Sequence, residues 1–346
     1  MNYDFYPLKS ISRGKMNSKK LYVLNFVKDG RPRRGAVNSK GEIIIPPNFN
    51  RIDYIDDQTG LIPAGIIKPN FQHALDLHWG YIDQVGEWKI KPQFDELTNF
   101  HNEWAFAKSE KEKNWGRIDK AGAWIENPTY EGRGIFSEGL VWLKKDINQY
   151  IFLDEAAKIK FTLEGIDEFG FSFSEKLLKF KKQNKWGFID INGAVVLEPK
   201  WDYVGRFKKG LALVLEDSTW KYIDTTGQIK LSEPLDEAID FNDSGYAAAK
   251  KGRWGILDMA GNWTIKPQYQ IMIVPTNDTI ITKLKGEWCK LNIQGELIEK
   301  IPVSKKVEGI TPFDENGIAV AFCGDYDQLL NQNYEVIFDT KKYKAK

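Results

Sequence analysis

Few side chains in this chain could do chemistry: three histidines, two cysteines and a periodic series of aspartates. His73 and His78 stand five residues apart, which is not the spacing of a zinc-binding helix, and no third ligand lies near them; His101 stands alone. Cys289 or Cys323 paired with a histidine would make a nucleophile and its base, but nothing local in the sequence activates either thiol. The two cysteines form no C-x-x-C and no disulfide framework. Asp83, Asp119, Asp154, Asp190, Asp224 and Asp258 could suggest a calcium ladder, yet calcium requires six to eight oxygens converging on one point. Each is instead followed three residues later by glycine, or by Ala157, which is the pattern of a type I turn. Gly132, Gly134 and Gly139 do not space as a phosphate-binding loop, and the carboxylate pairs Asp56 with Asp57 and Asp314 with Glu315 sit in loop-like sequence. The residues therefore predict no enzyme, no metal and no cofactor.

Binding is the alternative use of such a chain, and its twelve tryptophans are the first candidates. Six of them, Trp79, Trp115, Trp186, Trp220, Trp254 and Trp288, recur at one fixed place and read as core. Trp88, Trp124 and Trp263 each lie nine residues after one of these, where other copies carry Ile43, Val195, Ile229 or Leu297, so that place is an apolar strand site. Trp104, Trp142 and Trp201 fall where the copies differ and are the expected recognition aromatics. Lys208 and Lys209, with Lys181 and Lys182, point to an acidic partner surface. The expected partner is another protein; a glycan stacked on exposed tryptophans is the second reading, and an enzyme with its site in a propeller funnel the last.

The elements that must position these residues are repeats. The stretch W-G-F-I-D-x-x-G at Trp186 recurs, intact or altered, at residues 34, 79, 115, 150, 220, 254 and 288, and faintly at 327. The spacings are 45, 36, 35, 36, 34, 34, 34 and 39 residues, a regular middle with irregular ends, as a nine-unit array with atypical caps would show. Residues 185–190 alternate polar and apolar types and read as a half-buried strand. A turn at Asp190 and Gly193 reverses the chain, and a return strand ends at Pro199. After a crossing segment, a further strand begins at Gly210, with counterparts at Gly139, Gly245 and Gly317. No unit carries a long 3.6-residue apolar period, so little helix is expected.

Three antiparallel strands per unit leave the chain at the end opposite its start. If the crossing segment is a loop, the units stack into an open superhelix; if it supplies a fourth strand, each unit is a propeller blade and the array can close. Units near 35 residues, nine in number, lead us to expect an all-β tandem array of short antiparallel meanders, an open solenoid ahead of a closed β-propeller. The array is expected over residues 31–339, with a capping segment at 1–30 and a basic tail at 340–346. The run LYVLNFV, residues 21–27, is expected to supply the strand preceding the Arg34 unit.

The motif W-G-[FY]-I-D-x-x-G, followed by an apolar strand, proline and an aromatic, resembles the WG-repeat (KWG) proteins found mainly in bacteria. The match departs at Lys221 and Cys289, which replace the motif glycine, and at the Tyr150 unit, which lacks tryptophan, both glycines and the proline. The resemblance implies a β-rich repeat scaffold with no common activity or cofactor, and supplies no function. The repeat itself, whose stacked units make an extended surface, leads us to expect a protein-interaction scaffold, with an immunity-like or accessory role on another bacterial protein as a special case by analogy. A net charge of +1 argues against a whole-molecule footprint for nucleic acid or anionic membrane. Local basic runs remain at Arg31, Arg33 and Arg34 and at Lys341, Lys342, Lys344 and Lys346. Residues 1–20 carry no secretory apolar run, no stretch is long enough to span a membrane, and a reducing, cytoplasmic setting is expected.

Overall fold

The computed structural model describes residues 21–28, 31–53, 59–68, 77–109, 111, 113–147, 149–269, 275–276, 278–284, 286–311, 313–314, 316–324 and 326–342. These form nine small antiparallel sheets in chain order, one three-stranded and eight four-stranded. Most of the expected capping segment, together with His73, Asp56, Asp57, Glu315, Lys344 and Lys346, lies outside the described residues.

Blade 5 shows the construction. A two-residue strand, Glu168–Phe169, pairs with Leu177–Lys182; that strand pairs with Lys185–Asp190, and the last with Val195–Trp201. The short strand comes from the crossing segment. It is the fourth strand that a loop-only crossing would have lacked.

The second strand is buried residue after residue, as in Leu211–Glu216, because both of its faces pack on neighbouring blades. The last strand alternates, and most of the exposed large apolar residues lie on it: Ile125, Ile159, Val195, Ile229, Leu297 and Val336 are examples. That strand is the outer edge of each blade, and the two-residue strand is the inner edge, toward the axis.

The expectation of an open solenoid is corrected by the interfaces. An open array of nine units has eight contacts between neighbours; here nine apolar clusters each join two consecutive blades. The ninth packs Leu24, Phe26 and Val37 of blade 1 against Ile318, Val320 and Leu329 of blade 9. Tyr22 also donates its hydroxyl to Asp314 at 2.8 Å across the same junction. The chain closes into a nine-bladed β-propeller. Among the described residues no terminal strand completes a distant sheet: blade 1 is built from Tyr22–Lys28, Arg31–Val37 and Ile43–Phe49, and the junction is sealed by side chains. Residues 22–28 pair with 31–37 as the second strand does in every other blade.

The repeated residues have local causes. Asp190 Oδ1 accepts the amides of Asn192 and Ala194 at 2.8 and 2.9 Å, and Gly193 closes the turn at φ 83°, a conformation costly to other residues. The glycine after the anchor tryptophan answers a different need. At Gly187 a Cβ would stand 2.4 Å from the Leu197 carbonyl oxygen and 2.8 Å from Pro199 N, where the ladder slips register between Trp186 and Phe188. The anchors face the next blade's core: Trp115 packs with Val141 and Leu143, and Trp254 with Ile280 and Leu291. Helix among the described residues is confined to the 3-10 turn Thr340–Lys342.

Candidate recognition surface at the mouth of the ring

Each blade from 3 to 7 leaves its inner strand through a short segment that ends on a recurring phenylalanine: Phe100, Phe136, Phe173, Phe207 and Phe241. That ring is inward-facing; Phe100 tilts on Tyr81 at 4.8 Å, Phe207 on Phe188 at 4.7 Å and Phe241 on Tyr222 at 4.7 Å. The residues just before it do not repeat. They are Asn99, Ile135, Phe171 with Ser172, Arg206 and Asp240. A recurring aromatic, buried in four of these blades and half-buried at Phe136, thus carries a variable rim near the axis.

Glycine opens this rim. A Cβ at Gly134 would collide with Trp142 Nε1 at 2.5 Å, one at Gly170 with Lys179 Cγ at 2.6 Å, and one at Gly205 with Asp240 Oδ1 at 1.9 Å. Neighbouring blades clasp each other across those gaps. Trp142 Nε1 donates to the Gly170 carbonyl at 2.7 Å, and the Ile135 amide donates to the Phe171 carbonyl at 2.5 Å. The Phe173 amide donates to Ser137 Oγ, and the Ser174 hydroxyl to the Phe207 carbonyl. The amides of Lys176 and Gly210 reach back to Glu138 and Glu175 on the preceding blades. Blades 4 to 6 are thereby fixed against one another at their inner ends. What projects from this frame is apolar: Ile135 is 56% exposed and Phe171 73% exposed, on consecutive blades joined by a backbone hydrogen bond.

Charges lie beside this pair. Lys179 donates to the Val204 carbonyl at 2.8 Å and lies 5.0 and 5.2 Å from the Trp186 and Tyr203 rings; burial lowers its pKa. Burial raises the pKa of Asp240, whose Oδ2 accepts the Arg206 amide at 3.2 Å while its sequestered Oδ1 has no partner. Further round, burial pushes Arg133 down to about 10, its guanidinium 4.3 Å from the Trp115 ring.

The residues singled out from sequence fall in different places. Trp104, Trp142 and Trp201 are all buried, at 7, 9 and 2% exposure, in three different interblade cores. Trp104 and Trp142 lie on second strands covered on both faces, and Trp201 occupies the buried end of an outer strand. Lys208 and Lys209 follow Phe207 in the turn to the second strand of blade 6, Lys208 paired with Asp243 at 2.7 Å and Lys209 exposed in a left-handed conformation at φ 51°. Among the described residues Trp124, at 37%, is the one exposed tryptophan, so no exposed pair of them shares a face. Cys289 and Cys323 are buried, and His101 stacks on Phe136 at 3.9 Å. No group of three potential metal ligands occurs among the described residues, and no helix among them is long and apolar enough to cross a membrane. Ile135 and Phe171 were not legible as a pair, because a crossing segment gives no sign of which of its residues face out.

Fold and rim together define a β-propeller with a variable mouth. The WG containing repeat family model matches residues 35–63, 79–112, 186–220 and 254–288, so the chain carries WG-type repeats at these four regions. No curated protein matches it. Among solved structures, one titled as the crystal structure of the eukaryotic initiation factor aligns with a TM-score of 0.62 at 14% identity, over 92% of this chain and 96% of that one. BamB from Moraxella catarrhalis aligns at 0.40 and 15% identity over 72% of this chain and 86% of its own. Kluyveromyces lactis Hsv2 aligns at 0.38 and 9% identity, over 68% and 93%. The first of these likenesses concerns the fold alone.

Proposed function

We propose that this propeller is a non-catalytic scaffold that holds a protein partner at the mouth of the ring, with Ile135 and Phe171 as its apolar anchor. The carrying observation is their exposure side by side on blades that are clamped together beneath them. A rigid, desolvatable apolar centre inside a polar rim is the anatomy in which a few residues supply most of the binding energy. The polar neighbours are largely satisfied within the ring, Glu138 and Glu175 by backbone amides and Lys208 by Asp243, so they frame the centre without competing for it. The WG repeats and the propeller fold support an interaction role in general.

The test is capture from lysate of the source cells, at low and moderate salt, with tagged wild type, Phe171→Asp and the outer-edge control Ile229→Asp. One stoichiometric protein retained by wild type and the control, and lost by Phe171→Asp, is the expected result. Retention by all three proteins, or by none, would sink this assignment of the surface.

A further inference from the structure

A second site lies between blades 1 and 2, apart from the apolar mouth of blades 4 and 5. An open cleft of about 340 Å³ is lined by Arg31, Arg33, Asn48, Asn50 and Lys68 over a floor of Ile66 and Ile67. Arg31 and Arg33 are two apart on one strand and so project to the same side. Among the described residues neither guanidinium meets a carboxylate, whereas Lys68 is paired with Asp95 at 2.6 Å.

The two amides are already committed on their acceptor side. Asn48 Oδ1 accepts from the Lys28 ammonium at 2.8 Å, and Asn50 Oδ1 accepts from the Ile67 amide at 3.0 Å. Those bonds fix which end of each side chain is oxygen, and leave the NH2 groups to donate. The polar lining therefore offers donors: two guanidinium forks and two amide nitrogens. Two like charges held side by side repel, and an anion between them converts that repulsion into attraction.

We propose that this cleft binds the phosphate group of a small, soluble, polar phosphomonoester. Two uncompensated guanidinium groups match the charge of about −1.5 to −2 on a phosphomonoester near neutral pH, where a single carboxylate would leave one unanswered. Guanidinium forks bind such oxygens in pairs. The volume exceeds that of a lone phosphate and falls in the range of small-molecule sites, so the Asn48 and Asn50 amides are free to donate to hydroxyls on the body of the ligand.

Isothermal titration of the full chain with glucose 6-phosphate, glucose and inorganic phosphate tests this. Saturable binding of glucose 6-phosphate, none of glucose, and a loss of about tenfold or more in Arg31→Gln/Arg33→Gln are expected. An unchanged melting temperature for that unliganded variant shows that its fold is intact. Equal binding of glucose and its phosphate, binding unaffected by the double substitution, or no binding at millimolar concentration would overturn the proposal. Sedimentation with phosphatidic acid vesicles that glucose 6-phosphate fails to compete away would reassign the phosphate to a lipid and overturn the soluble ligand. None of these outcomes bears on capture through Phe171.

Discussion

The backbone amide of Asn25 in the first blade donates to Asp327 Oδ2 in the last at 2.7 Å, across 302 residues of chain. Asp327 is in turn pinned from behind: its amide donates to Thr340 Oγ1 at 2.9 Å, and the Thr340 hydroxyl donates to its carbonyl at 3.1 Å. The ring is therefore latched by a carboxylate that the C-terminal turn holds in place. Asp327→Ala should cost roughly 1–3 kcal/mol, because it leaves the part-buried Asn25 amide without its acceptor. Asp327→Asn, which keeps an oxygen for Asn25, should cost less. Hydrogen exchange at the Asn25 amide separates a local latch from general loosening, since only a latch predicts that this amide accelerates ahead of those in blade 5.

Gly187 should be among the least replaceable residues of blade 5. Alanine would force its Cβ onto the Leu197 carbonyl at the bulge, and backbone there cannot shift without breaking the ladder to Val195–Trp201. Gly187→Ala should lower stability by roughly 1–3 kcal/mol in urea unfolding, as overpacking against fixed atoms does. A loss below about 0.5 kcal/mol would show that the bulge is pliable.

That bulge also explains how far the sequence could be read. Nine units were legible because most repeat an anchor, a turn and a glycine whose causes are local. Where the glycine is absent the pairing itself changes: Ile151 faces Thr162 in regular register, and Cys289 faces Lys300 without a slip. Lys221 is different, since the slip between Trp220 and Tyr222 persists around it. Closure was not legible for two reasons. The inner strand is only two residues, such as Glu96–Leu97, too short to show alternation. The seal also depends on Phe26, Val320 and Leu329, whose proximity no local pattern announces. The Arg31 and Arg33 run was visible as charge, but its meeting with Asn48 and Asn50 belongs to tertiary structure.

Blade 4 carries a repairable strain. Ala157 occupies the turn position that glycine fills in most blades and sits at φ 59°. A left-handed conformation costs an L-residue roughly 1–2 kcal/mol, and the added freedom of glycine in the unfolded chain returns about 0.4–1 kcal/mol of that. Ala157→Gly should therefore stabilise the protein by a few tenths to about 1 kcal/mol. Calorimetry should show a rise in melting temperature of about 1–2 °C, and a fall would mean that the methyl's contact in the blade 3 to 4 core outweighs the strain.

Two aspartates should respond to pH with opposite sign. Asp224 is held well below the ordinary carboxylate range by the Thr226 hydroxyl and the Lys230 ammonium, then by the amides of Gln228 and Thr226. A depressed folded pKa means that its contribution is present above the unfolded value near 3.8 and is lost as pH falls through the folded one. The melting temperatures of wild type and Asp224→Ala should accordingly converge between pH 5 and 2. Asp240 runs the other way. Burial raises its pKa, against the Arg206 amide and the charges of Arg206 and Lys179, so the folded state takes up a proton before the unfolded one. Stability then declines as pH rises from about 3.8 through the raised value. Asp240→Asn, which keeps the shape and removes the charge, should match wild type in acid and exceed it at pH 7. A variant less stable than wild type at pH 7 would mean that Lys179 and Arg206 hold the carboxylate more strongly than its burial penalises it.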